Sequence, residues 1–306
     1  MGNPETTFLM ARHTKKTTDL EKPYPGITVE GEQLVREKTR EHLLKIIEDA
    51  EPGAVVIFLG ASDVPRTKST SRVSANELKS LLADKTDEYL VYEQKDIEAA
   101  VDKKTQSTRE VASKLVADNP DKKVILSYPL FLKEFSLVAP ETGPRAKVPE
   151  WKTGGVKEIG TPYLAELMKQ AGNNEATAVS KWIDNDGKIN MPNGDVLEGP
   201  NPVETAQGYI KSIERLQNFA MKLFPDRPLV IEVTAHSWDI DVFIAYATHH
   251  GKLDVAGFEE IARGNKNKDT SIISEFEFPI IKINEDEKTL SYRGKQYKLN
   301  SPEFVK

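Results

Sequence analysis

Residues 7–13 read Thr-Phe-Leu-Met-Ala-Arg-His. Five residues without a charge run straight into an arginine and a histidine. Three more stretches share the apolar character: Ala54–Gly60 (AVVIFLG), Lys123–Tyr128 (KVILSY) and Leu229–Ala235 (LVIEVTA). Continuous apolar runs of this length are the signature of strands covered on both faces of a sheet. Between them lie segments with helical spacing. Gly31–Ala50 places Leu34, Leu43, Leu44 and Ile47 near one stripe, and Pro202–Leu223 does the same with Ile210, Ile213, Leu216, Phe219 and Ala220. Ser74–Ala83 and Asp96–Val116 also read as helices, and Tyr89–Tyr92 as a strand. Strands alternating with helices define βαβ units and a largely parallel α/β sheet.

The chain has 306 residues, enough for one or two domains at ~150 residues each. With 38% hydrophobic and 29% charged residues the composition is that of a soluble globular protein. Cysteine is absent, which excludes disulfides, Cys-ligated metals and a thiol nucleophile. The longest apolar run, Ala54–Leu59, is far below the ~18 residues of a membrane span. No basic flank followed by a long apolar stretch opens the chain, so a cytoplasmic protein is expected. Met1–Thr6 fits the N-myristoylation pattern, but a strand that starts at once leaves little arm, and a chance match is the simpler reading. A net charge of −6 argues against a nucleic-acid-coating surface. Neither a nucleic-acid nor a membrane partner is expected.

Residues 137–201 are punctuated by Pro140, Pro144, Pro149, Pro162, Pro192 and Pro200. We read 129–201 as an insertion or cap within a single domain spanning 1–306. Inside it, Asp186-Gly187 and Asn193-Gly194 are hairpin-turn pairs flanking Lys188–Met191. Asp184–Gly187 has the look of a calcium loop, but Trp182 stands where the first carboxylate belongs and no Glu closes the loop. Trp151 and Trp182 are candidates to line a substrate cleft, with packing as the default reading. Glu275–Leu299 alternates in polarity and turns back around Asn284–Lys288.

Three strands end in chemistry. The first runs into Arg12-His13, the second into Ser62 and then Arg66, and Leu229–Ala235 into His236. Ligands of open α/β sheets sit beyond the carboxyl ends of the strands. Arginine presents a planar fork of donors that matches phosphate oxygens in pairs. Imidazole can attack phosphorus or donate to its oxygens. Two Arg and two His on one rim therefore describe a phosphoryl site, with a histidine as nucleophile.

These stretches resemble the histidine phosphatase superfamily, which includes the cofactor-dependent phosphoglycerate mutases. Ala11-Arg12-His13-Thr14 resembles the family's Arg-His-Gly signature, and Ile27-Thr28-Val29-Glu30-Gly31 its Leu-Thr-x-x-Gly helix entry. Ser62 through Thr70 matches Ser-x-x-x-Arg-Thr-x-x-Thr, and Ala235-His236-Ser237 stands at the second histidine. The resemblance covers residues 7–70 and 202–250 best. It implies a three-layer α/β/α sandwich, phosphoglycerate mutase-like, with an inserted cap. It also implies a phosphomonoesterase that needs no metal or other cofactor and acts on a small phosphate ester or a phosphoprotein.

The same resemblance assigns roles. His13 would be the nucleophile, Arg12 and Arg66 would hold the phosphate, and His236 would donate to it. Glu93 would be the carboxylic acid that protonates the leaving oxygen, with Glu88 and Glu98 as near competitors. Asp239 would serve if the acid instead follows the second His. Ser62 is as consistent with a turn as with a phosphate contact. Two departures stand out: Thr14 and Ser237 occupy positions where the family has Gly. Thr14 would narrow the pocket or bond the phosphate. Ser237 would cap a helix starting near Asp239, whose amides face the phosphate. Two rivals remain: a mutase primed by a bisphosphate, although the Trp-Asn pair of that branch is missing from Thr14–Gly26, and a phosphate- or phosphopeptide-binding module without turnover.

Overall fold

The computed structural model describes residues 4–20, 23–60, 64–101, 107–127, 162–262, 273–284 and 287–299. In chain order the elements are β1 (Thr6–Arg12), α1 (Val29–Lys38), a π-helical turn (Thr39–Leu43), α2 (Leu44–Asp49), β2 (Val55–Gly60), α3 (Pro65–Leu81), β3 (Tyr89–Glu93), α4 (Gln94–Ala100), α5 (Thr108–Ala117) and β4 (Lys123–Ser127). There follow α6 (Pro162–Gln170), α7 (Glu175–Asp184), β5 (Lys188–Asn190), β6 (Val196–Glu198), α8 (Pro202–Leu223), β7 (Leu229–Ala235), α9 (Ser237–Thr248), α10 (Val255–Ala262), β8 (Ile280–Ile283), β9 (Lys288–Tyr292) and β10 (Lys295–Lys298). Among the described residues no helix is long and apolar enough to cross a membrane.

The chain divides into two compact units. The first comprises Met1–Phe135, Glu214–Ala235 and Glu275–Lys298, and the second Ser136–Ile213, His236–Ser274 and Leu299–Lys306. The eight-stranded sheet of the first unit has the order β10-β9-β8-β1-β7-β2-β4-β3. The strands from β1 to β3 in that order run parallel, and β8, β9 and β10 extend the sheet antiparallel through the hairpin expected around Asn284–Lys288. Every residue of β1, β2 and β7 is buried, as their unbroken apolar runs require.

One face of the sheet is covered by α3 with α1 and α2. Leu9, Val56, Phe58, Ile125 and Val230 pack there with Leu43, Ile47, Ala75 and Leu78. On the other face lie α5 and the end of α8, where Gln217 donates to the Thr6 hydroxyl and Ser113 to the Leu223 carbonyl. At the amino ends of the strands the Arg227 guanidinium bonds the carbonyls of Gly53, Val116, Asn119 and Lys122, tying the segments that lead into β2, β4 and β7 together.

Helix α3 starts nine residues earlier than the Ser74–Ala83 expected from periodicity. Pro65 opens it at a position where its missing N–H costs nothing. Its first half buries Thr67, Ser69, Thr70, Ser71 and Ser74. Short side chains let the helix sit tightly on the strands. Gly60 ends β2 under it, and a Cβ there would come 3.0 Å from the Lys68 amide nitrogen. The expected helix Asp96–Val116 is two helices, because Val101 ends α4 and a Ser107–Glu110 capping box starts α5.

The expected insert falls partly outside the described residues, at 128–161, and Trp151 with it. Its remainder belongs to the second unit. There Trp182 is fully buried and donates to the Pro200 carbonyl, and Tyr163 donates to the Asn185 side chain. The β5–β6 hairpin turns through Asn193-Gly194. Asp186-Gly187 is not a hairpin turn: both residues take positive φ and end α7. Helix α9 is buried along nearly its whole length, with Phe243 stacked on Tyr209 at 5.7 Å.

Candidate active site

The ladder between β1 and β7 extends one residue past β1, where the His13 amide donates to the Ala235 carbonyl at 3.0 Å. The ring of His13 is buried. Its Nδ1 lies 2.8 Å from the Thr14 carbonyl, and the Nε–H of Arg66 reaches its Nε2 at 3.0 Å. These two contacts assign the tautomer. A guanidinium only donates, so Nε2 accepts with its lone pair, and the ring proton sits on Nδ1, facing a carbonyl that only accepts. The nitrogen with the lone pair is thus the one that faces a cation.

Arg66 is fixed from its backbone. It lies in the first turn of α3, and the loop 24–27 clamps that turn. Ser69 donates to the Pro25 carbonyl at 2.8 Å, and Gly26, at φ +81°, passes so close that a Cβ would meet the Arg66 amide at 3.0 Å. Arg12 is the last residue of β1; its carbonyl accepts the Phe276 amide at 3.2 Å and its side chain is buried.

Thr14 is fully buried. Its hydroxyl donates to the Gly31 carbonyl at 3.1 Å, and its amide donates to the Thr70 hydroxyl at 3.4 Å. The hydroxyl anticipated as a phosphate contact is committed to α1 instead. Thr28 caps α1 by accepting from the Gly31 amide, and a Cβ on Gly31 would come 2.9 Å from the Thr14 hydroxyl. The Thr28–Gly31 stretch is therefore a seat for the nucleophile's turn. Thr70 stands in the quoted motif, and its part in holding Thr14 was not legible from spacing.

The structure brings Arg12, His13, Thr14 and Arg66 together in the first unit. Ser62 lies outside the described residues. Glu93 is placed elsewhere. It ends β3, the edge strand, four strand spacings or ~19 Å from β1 along the sheet. Lys79 bonds its carboxylate at 3.0 Å, Lys95 approaches at 3.5 Å, and Glu93 and Asp96 form the capping box of α4.

His236 and Ser237 belong to the second unit, and His236 follows Ala235 directly along the chain. His236 itself is the N-cap residue of α9, so Ser237 is the first residue of the helix, not its cap. The change from the expected start near Asp239 has a simple cause: extended backbone at His236 ends the strand and starts the helix in one step. Asp239, buried, follows in the first turn. Helix starts of this kind leave amides free to receive an anion.

No protein-family model matches the chain, and no curated protein matches its sequence. Solved structures do. A mycobacterial hydrolase is 12% identical over 95% of this chain and 98% of its own, at a TM-score of 0.40. YhfR of Bacillus stearothermophilus is 12% identical over 95% and 97%, at 0.43. A phosphoglycerate mutase from Bacillus anthracis is 11% identical over 99% and 97%, at 0.39. At these identities and scores the likeness is loose and says nothing of what this chain acts on.

Proposed function

We propose that the protein is a histidine phosphatase-type phosphomonoesterase that forms a phosphohistidine on Nε2 of His13. The observation that carries this reading is the His13 ring itself, with its Nδ1–H directed at the Thr14 carbonyl and its Nε2 lone pair facing Arg66. In the reaction the substrate's phosphate oxygens take the donors of Arg66 and Arg12, which frees the Nε2 pair to attack phosphorus. The bond to the ester oxygen breaks as the Nε2–P bond forms. The fixed cations stabilise charge on the transferring group without reorganising. The Thr14 carbonyl stabilises the ring as it turns cationic.

By the resemblance, His236 would be a further donor to the phosphate. The leaving oxygen needs a proton, and water must later be activated. Glu93 lies at the sheet edge, held by two lysines, and the resemblance offers Asp239 as the alternative acid. The substrate class is a phosphate monoester, either a small molecule or a phosphoprotein, and no metal enters the cycle.

The test is hydrolysis of an aryl phosphate with EDTA present, comparing wild type with His13→Ala. Activity that survives EDTA and disappears in His13→Ala is expected. Activity equal in both chains overturns the reading. A requirement for added bisphosphoglycerate identifies a mutase, and phosphate binding without turnover a binding module.

A further inference from the structure

Strand β7 carries one carboxylate in its apolar run, Glu232, and it is fully buried. Alternation along the strand puts Glu232 and Thr234 on the face covered by α3, level with Leu9 of β1 and Phe58 of β2. Two hydroxyls reach the carboxylate: Thr234 at 2.7 Å and Ser71 of α3 at 3.2 Å. No cation is among its partners within the described residues. The titratable groups on the elements packed against it are Arg12 of β1, which alternation puts on the opposite face, His13, which follows β1, and Arg66, Lys68, Arg72, Glu77 and Lys79 of α3. Among these, Arg66 meets His13, and Glu77 is bonded to Arg36 and Arg40.

Ser71 sits in a short segment of α3, three of whose polar contacts reach the strand ends and β7. Arg66 meets His13 Nε2, Thr70 meets the Thr14 amide, and Ser71 meets Glu232. The first two hold the nucleophile's turn. The third joins that segment to the neighbouring strand. We propose that Glu232 is a positioning residue of the phosphate site: it ties β7 to α3 through Ser71 and so sets where Arg66 stands against His13, and its ionisation tightens that tie. This inference rests on the function proposed above.

A bare carboxylate in this place is costly, because two hydroxyls replace the hydration of a full charge. Burial accordingly pushes the Glu232 carboxyl up to about 8, against the pull of Thr234 and Ser71 toward the anion. The group therefore changes state just above neutrality. Both hydroxyls donate to its carboxyl oxygens, and an anion accepts such bonds more strongly than a neutral acid.

The experiment measures kcat and KM for an aryl phosphate from about pH 6 to about pH 9, for wild type, Glu232→Gln and Ser71→Ala, alongside the 15N shift of His13 Nε2. In wild type, KM is expected to change with an inflection near pH 8, and the His13 signal to show the same inflection. Glu232→Gln cannot ionise, so both inflections disappear. Ser71→Ala removes the tie itself, so both inflections disappear there as well. If Glu232→Gln does not fold, Ser71→Ala carries the test. Unchanged inflections in the folded variants, or none in wild type, overturn the proposal. Should no chain turn over substrate, the phosphatase reading fails and the His13 signal alone decides the tie: an inflection that depends on Glu232 upholds it, and any other result overturns it.

Discussion

The carboxyl ends of β1 and β3 look alike in sequence and differ in structure. Each strand belongs to the parallel part of one sheet, and each ends in a titratable residue that the resemblance marks as catalytic. At β1 the side chain is buried, its proton is placed by a neighbouring carbonyl, and its lone pair faces Arg66. At β3 the side chain is already satisfied by Lys79, Lys95 and a helix cap. A strand end is thus only a location. What makes the end of β1 a site is α3, which crosses β2 and β7 and delivers a cation to the histidine.

If the β1 end is the reactive one, losses of function concentrate there. Arg66→Ala is expected to lower kcat/KM by about 10²–10³-fold, the range for removing one fixed donor to a transferring oxyanion, with thermal unfolding nearly unchanged. A loss below tenfold would remove Arg66 from the transition state.

Glu232 supplies a prediction about stability. A carboxyl at 4.5 in the unfolded chain and about 8 in the fold binds a proton natively where the unfolded chain does not. Stability therefore falls as pH rises through that window. Glu232→Gln removes the slope, so its stability advantage over wild type should grow by a few kcal/mol between about pH 5 and about pH 8 and then level off. Parallel urea titrations check this, and a constant difference across the range contradicts it.

Gly31→Ala tests the seat under the nucleophile. The new methyl would meet the Thr14 hydroxyl and should cost about 1–3 kcal/mol, with activity lowered in the survivors. The smallest effect is expected at β3. Glu93→Gln should change kcat less than about threefold and cost about 0.5–1 kcal/mol through the weakened cap. A loss of a hundredfold would restore Glu93 as the catalytic acid and erase the contrast between the two strand ends.

The parallel strands were legible because burial on both faces leaves an unbroken apolar run. His13 and Arg66 were legible because residue type and place at a strand end coincide. The start of α3 was not, since its hydroxyl-rich residues 67–74 read as loop and become helix only by packing on the sheet. Glu232 was hidden for the opposite reason: one polar residue in LVIEVTA does not break a strand pattern, yet in a sheet covered on both faces it signals a buried acid. The seat formed by Thr14 and Gly31 depends on two segments meeting in space, which spacing along the chain does not express.

The central claim is that Nε2 of His13 takes the phosphoryl group. The direct measurement is rapid quenching into base during turnover of a labelled aryl phosphate, followed by mapping of the labelled peptide. The account predicts an acid-labile, base-stable phosphate on Nε2 of His13, absent from His13→Ala. Label on another residue, or steady turnover with none trapped on His13, would contradict it.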